Sequence, residues 1–243
     1  MTKNKKQIIL LKISGESLKG DNTVISTTQI NSICAQIKNL QKKYIIGIVL
    51  GGGNILRGAN TTNKSLTRTS ADIMGMLATI INSIALRDAL EANGVNTSLY
   101  SLITMPTIAK TYNISAIKHD LANNNVVIFA GGTGNPYFST DSGVALRALE
   151  VDASFILMGK NGVDGIYDSD PKINKKAKRY PSISYDKIVR DNLKAIDTSA
   201  ASILSNSDVK ILVFNINRAN CFVDALANKI PTTVISKSNR GNK

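Results

Sequence analysis

The sequence predicts an α/β fold, a three-layer αβα sandwich around a mainly parallel central sheet. Three observations carry that expectation. Short apolar runs, such as Q-I-I-L-L-K-I at 7–13 and V-V-I-F-A at 126–130, read as central strands buried on both faces. They alternate with segments whose apolar residues recur at helical spacing, the pattern of parallel strands joined by crossover helices. Glycine-rich turns follow the strands at 51–53 and 131–132, where open α/β sheets hold their ligands.

A chain of 243 residues is long enough for one large α/β domain, or for two lobes sharing a sheet. Its 43% hydrophobic and 19% charged residues are ordinary for a soluble globular protein. No uninterrupted apolar run approaches the ~20 residues that span a bilayer, and the polar start M-T-K-N-K-K is no secretory signal, so a cytoplasmic location is expected. Cys34 and Cys221 are isolated and read as reduced, packed thiols. A net charge of +13 suits a nucleic-acid binder, but the lysines are scattered. The one dense cluster, 172–179, lacks interleaved aromatics. Solvated faces explain the charge, and help in attracting anionic nucleotides is compatible with it.

In the first strand Lys12 is the exception. Near the strand's carboxyl end, ahead of Ser14 and Gly15, its ammonium either enters a site above the sheet or snorkels out of the strand end. Gly15 permits close backbone approach to a phosphate, although no G-x-x-x-x-G-K-[ST] loop is present. Ser26 or Thr27 is expected to cap a helix carrying Ile30, Ile33, Ile37 and Leu40 on one face. The strand at 44–50 runs into Gly51-Gly52-Gly53-Asn54, whose N–H groups suit an anion-binding nest. Arg57 follows, either as a surface residue or as a planar fork able to grip a phosphate.

Residues 70–91 form the longest apolar helical stretch. Apolar positions surround most of it, so the helix is either central or buried against another subunit. Such surplus apolar surface predicts a homo-oligomer. Asp72 suits the positive end of this helix. A strand at 95–101 leads to irregular or short helical chain between Pro106 and Asn113, then to a helix at 114–121 carrying His119. That lone histidine has polar neighbours and reads as a surface residue.

The stretch T-G-N-P-Y-F-S-T-D-S, 133–142, joins the strand at 126–130 to a helix carrying Val144, Leu146 and Leu149. Thr140, Asp141 and Ser142 are its candidate N-caps. The helix start offers N–H groups to an anion, and Tyr137 with Phe138 can wall a flat ring. An ordinary strand-to-helix turn has the same local signals. Next come a strand at 153–158, the turn Gly159-Lys160-Asn161-Gly162 and a short hairpin at 163–167, ended by Asp170-Pro171. Helices at 185–194 and 198–206 follow, with Asp197, Thr198 and Ser199 as candidate caps. A strand at 210–216, a helix at 220–228 and a strand at 232–236 close the domain.

Taken in order, L-K-I-S-G-E at 11–16, G-G-G-N-I-L-R-G at 51–58, D-I-M-G-M-L-A-T at 72–79, the 133–142 loop, V-D-G-I-Y at 163–167, Asp170-Pro171 and V-F-N at 213–215 resemble the bacterial UMP kinases of the amino-acid kinase superfamily. The triple glycine alone is a weak signal; the ordered set is specific and spans nearly the whole chain. The resemblance implies an amino-acid kinase-like fold, with an acceptor-nucleotide lobe at about 1–157 and an ATP lobe at about 158–243. It implies transfer of the γ-phosphoryl of ATP to UMP, giving UDP and ADP, in pyrimidine nucleotide biosynthesis. Mg²⁺ is then held mainly through the ATP phosphates, with no metal ligands from the protein, and the oligomer is a hexamer.

By the same resemblance Lys12, Arg57, Asp141 and Asp197 are the catalytic set. Lys12 contacts the phosphoryl group in flight, and Asp141 and Asp197 organise lysine, magnesium or backbone. Asp197 equally reads as a simple N-cap. The ATP side takes Lys12, Ile13, Ser14, Gly15, Gly53, Arg57, Asn161, Tyr167 and Asp170. The UMP side takes Gly52, Arg57, Asp72 on the ribose, and Thr133, Gly134, Asn135, Pro136, Tyr137, Phe138, Ser139 and Thr140. The acceptor is already a phosphate oxygen, so no general base is needed.

This chain departs from the pattern between Gly20 and Ile25, where only D-N-T-V stands. Many members are longer there and carry an aromatic–glycine pair tied to GTP activation, so that response is not carried over. Superfamily members acting on carbamate, glutamate or aspartate are the rival enzymes, yet those acceptors need no ring wall and no ribose-facing Asp72. A basic nucleotide- or nucleic-acid-binding regulator is the rival outside the enzymes.

Overall fold

The computed structural model describes residues 6–56, 65–193 and 196–238. In chain order its strands are β1 (Ile8–Ile13), β2 (Ile45–Leu50), β3 (Thr97–Ser101), β4 (Lys110–Thr111), β5 (Val126–Ala130), β6 (Phe155–Lys160), β7 (Ile166–Tyr167), β8 (Arg179–Tyr180), β9 (Ser182–Ser184), β10 (Lys210–Asn215) and β11 (Thr233–Ser236). The helices are α1 (Thr27–Leu40), α2 (Arg68–Ala92), α3 (Ile114–Ala122), α4 (Thr140–Glu150), α5 (Tyr185–Arg190), α6 (Thr198–Leu204) and α7 (Cys221–Leu226). Among the described residues nine strands form one sheet in the order β4-β3-β5-β2-β1-β6-β10-β11-β9. Every pairing in it is parallel except β10 with β11.

The central strands are apolar on both faces because both faces are covered. Ile9, Leu11 and Ile13 of β1 pack with α1, α2 and α7, whereas Leu10 joins the core under α3, α4, α5 and α6. Val126, Ile128 and Ala130 of β5 face the first layer, and Val127 and Phe129 the second. This strict alternation about a two-sided sheet makes the three expected layers. β1 lies between β2 and β6, so the chain first winds to one side of it and later returns on the other. Turns leaving the carboxyl ends diverge at that reversal and open a crevice.

Several local expectations are refined. The cap of α4 is Ser139, not Thr140, Asp141 or Ser142: its backbone is extended and its hydroxyl accepts the N–H groups of Asp141 and Ser142. Ser26 caps α1 as expected. Asp197 occupies the N-cap position of α6, but its side chain makes no capping bond. The hairpin at 163–167 does not close on itself; β7 pairs antiparallel with β8, which arrives after an exposed loop. The chain between Pro106 and Asn113 contributes edge strand β4, and β9 was not expected at all. Helices 185–194 and 220–228 shorten to α5 and α7. His119 is exposed and bonded to Asn123. Both cysteines are free and buried, and burial pushes each thiol up to about 11.

α2 is long and apolar enough in composition to cross a bilayer. Here Ile80, Leu86 and Leu90 instead lie in the core with β3 and β5. Its Ile73, Met74, Leu77 and Ile81 remain 39–49% exposed.

Candidate active site

The crevice centres on charges supplied by different elements. Lys12 Nζ, from the end of β1, lies 3.1 Å from Asp141 Oδ1 in the first turn of α4. Lys160 ends β6, the strand next to β1, and is mostly buried beside the same carboxylate. Burial pushes the Asp141 carboxyl up, but Lys12 and Lys160 outweigh it and hold the group below the ordinary carboxylate range; a backbone hydrogen bond from Asp197 adds to this. Burial, with repulsion from Lys12, keeps Lys160 below the ordinary lysine range against the pull of Asp141 and Asp197. The Ser142 and Ser199 hydroxyls, 2.9 Å apart, tie α4 to α6. Two lysines and two aspartates thus meet without a histidine, a geometry for neutralising and guiding a polyanion rather than for moving protons.

Two glycine turns close against this cluster. A Cβ on Gly15 would lie 2.8 Å from Gly53 N and 2.9 Å from Gly51 O, so only glycine lets the turns after β1 and β2 approach this closely. Ile13 serves through its backbone: its side chain is in the core and its carbonyl accepts Gly51 N–H. Ser14 bonds Ser17.

On one side of the cluster a cavity of about 350 Å³ is lined by Gly52, Gly53, Asp72, Asn135, Tyr137, Phe138, Ser139, Thr140 and Asp197. Tyr137 has φ +70, and it and Phe138 are 68% and 52% exposed at the cavity rim. Asp72 anchors the loop by accepting Tyr137 N–H at 2.8 Å and is itself held by Arg68, whose guanidinium also lies 5.6 Å from the Tyr137 ring centre. Thr133 turns its hydroxyl back to Asn135 of its own loop. With Gly134 and Pro136 it lies outside the cavity wall and shapes the loop. Arg57 lies outside the described residues.

On the other side a cavity of about 450 Å³ gathers Lys160, Asn161, Tyr167, Asp170 and Pro171. Asn161 is fixed by Asn217 from the turn after β10, and the Tyr167 hydroxyl donates to Asp164. A further pocket lined by Asp141, Lys160, Asp197 and Thr198 shares Lys160 with one cavity and Asp197 with the other. Of the expected residues, Arg57 cannot be placed, and Thr133, Gly134 and Pro136 shape their loop without lining the cavity. Lys160 was missed. Its signal, a lysine ending a strand just as Lys12 does, was masked by reading 159–162 as a plain turn.

A model of the amino acid kinase family matches residues 7–215. The chain belongs to the amino acid kinase family. Within this family it is 46% identical over 234 residues to the uridylate kinase of Ureaplasma parvum, covering 96% of this chain and 100% of the relative. The crystal structure of UMP kinase from Ureaplasma parvum matches with a TM-score of 0.92 over 96% of this chain and 100% of that one. That of UMP kinase from Bacillus anthracis matches at 31% identity with a TM-score of 0.90, covering 96% of each chain. An amino acid kinase sheet therefore carries the crevice, and the similarity to those kinases extends from end to end.

Proposed function

We propose that this chain transfers the γ-phosphoryl of ATP to UMP, yielding UDP and ADP, in pyrimidine nucleotide metabolism. One observation carries the reading: in a chain similar along its length to uridylate kinases, two cavities open on one lysine–aspartate cluster. On this reading UMP occupies the cavity walled by Tyr137 and Phe138, with its ribose at Asp72 and its phosphate held by Gly52, Thr140 and Arg57, while Gly53 serves the transferred group. ATP occupies the cavity of Asn161, Tyr167 and Asp170, its γ-phosphoryl reaching Lys12. The acceptor lobe runs to about residue 157 and the ATP lobe from about 158.

The chemistry follows from charge. A phosphoryl group in flight spreads negative charge over its equatorial oxygens, and fixed cations stabilise it without reorganising. Lys12 and Lys160 supply that charge, and Asp141 holds Lys12 in place. Among the described residues no three acidic, histidine or cysteine side chains converge as a metal cage. We assign the divalent ion that accompanies ATP as Mg²⁺, held mainly through the nucleotide phosphates. When bound it neutralises charge on the ATP phosphates. We also place the enzyme in the cytoplasm as a homo-oligomer, a hexamer built on α2 contacts.

A coupled assay that offers UMP, CMP, AMP, glutamate, aspartate and carbamate with ATP tests this directly. UMP should be preferred, because a site that leaves buried polar groups unpaired rejects the wrong base strongly. Comparable kcat/KM for another acceptor would overturn the assignment.

A further inference from the structure

Helix α2 has two unlike faces. Successive residues advance by about 100°, so Ile73, Met74, Leu77 and Ile81 share one exposed side. Asp72, Met76, Thr79 and Asn82 lie on the opposite side, against the acceptor cavity and its turns. Thr79 lines the acceptor cavity but turns its hydroxyl to backbone, and Asn82 lies outside the cavity wall; both are buried in mid-helix, where unpaired polar groups are costly.

Each is paired to a glycine turn. Thr79 Oγ1 donates to Met76 O at 2.7 Å and accepts Gly131 N–H at 3.0 Å. Asn82 Nδ2 donates to Gly51 O at 2.8 Å. The Asn82 amide also exchanges two hydrogen bonds with that of Asn54, at 2.7 and 3.0 Å, and Asn54 Nδ2 reaches Val24 O at 2.6 Å. Gly52 rests on the same helix, where a Cβ would lie 2.8 Å from Gly75 O. Asp72, at the head of the row, holds Tyr137 N–H. One rigid rod therefore grips the turn after β2 and the loop after β5.

We infer that Thr79 and Asn82 are positioning residues, setting the spacing between the phosphate-facing turn 51–53 and the base-facing loop that starts at Gly131. The inference rests on the UMP phosphorylation proposed above. A single hydrogen bond shifted at either turn displaces the acceptor phosphate from Lys12, and small misplacements are costly in phosphoryl transfer.

Thr79→Val keeps the side-chain shape and removes the acceptor of Gly131 N–H. The KM for UMP should rise about tenfold with a comparable fall in kcat, while the KM for ATP stays within about twofold. Thr79→Ser, which keeps the hydroxyl, should restore both. A merely structural role would lower kcat through the active fraction and leave both KM values unchanged. Asn54→Ala and Asn82→Ala should give the same split through the other turn, and the double variant should fall short of the sum of the two singles, since both break the one amide pair while each also loses a bond of its own, to Val24 O or to Gly51 O. A wild-type enzyme that fails on UMP sinks the underlying reading. A wild-type enzyme active on UMP, with Thr79→Val keeping its KM for UMP within about twofold, sinks this inference alone. If neither Thr79→Val nor Asn54→Ala folds, the row is a stability element and the inference is likewise overturned.

Discussion

Gly15→Ala is the sharpest test of the closed turns. Gly15 is buried at the start of a one-turn 3₁₀ helix, Gly15–Leu18, and its φ is not positive, so an added methyl acts by volume alone. That methyl would lie 2.8 Å from Gly53 N, 2.9 Å from Gly51 O and 2.3 Å from Asn54 Oδ1. Against an ordinary contact of about 3.5 Å, the two backbone atoms must retreat by roughly 0.6 Å and the amide by about 1 Å. Asn54 cannot swing aside, because Asn82 and Val24 hold it. Overpacking of this kind costs about 1–3 kcal/mol. A lower unfolded-state entropy returns about 0.4–1 kcal/mol. The net cost, roughly 0–2.6 kcal/mol, should lower Tm by no more than about 10 °C for a chain of this size. Turnover should fall much further, about 30- to 100-fold, because the turns proposed to hold the acceptor phosphate are pushed apart. Thermal unfolding and a coupled UMP phosphorylation assay read the two effects separately. A variant with kcat within about threefold of wild type would refute the claim that these turns set the reacting geometry.

Three further outcomes are expected. Lys12→Ala should lower kcat by at least about 100-fold while changing the KM for UMP little, since its charge matters most with the phosphoryl group between oxygens; steady-state kinetics with kcat within a few-fold of wild type would remove Lys12 from the centre. The alkaline fall of kcat/KM should come below the ordinary lysine range, as Lys160 loses its proton through a pKa lowered by burial, and Lys160→Arg should move that limb upward; an unmoved limb assigns it elsewhere. The same shift has a stability sign: the unfolded chain binds more protons between the two pKa values, so stability should rise with pH across that window in denaturant titrations. Finally, Ile81→Asp on the exposed stripe of α2 should dissociate the proposed oligomer and weaken UMP binding through Asp72, whereas an active wild-type monomer of 26.1 kDa by light scattering would contradict the proposed interface.

What could be read from the chain, and what could not, divides by the range of the interaction. The strands of the central sheet were legible because burial on both faces leaves a local mark, an apolar run bounded by glycine. β4 and β9 were not, since strands of two and three residues have no period to detect and exist only by pairing with β3 and β11. The partner of β7 was missed because it lies beyond an exposed loop, at a separation no local pattern encodes. The site shows the same division. Lys12, the glycine turns and Tyr137-Phe138 announce themselves by residue type next to a strand end. Lys160 does not: it matters because β6 lies beside β1, so the lysines ending two neighbouring parallel strands emerge over one carboxylate. Reading α2 as apolar nearly all round was correct in composition, but it concealed the division of labour on that helix. One side leaves Ile73, Leu77 and Ile81 exposed, the surface proposed above for a second copy, while Thr79 and Asn82 on the other reach Gly131 and Gly51. A mutation on the exposed side can therefore alter the acceptor site without touching it, because the same rigid helix carries both.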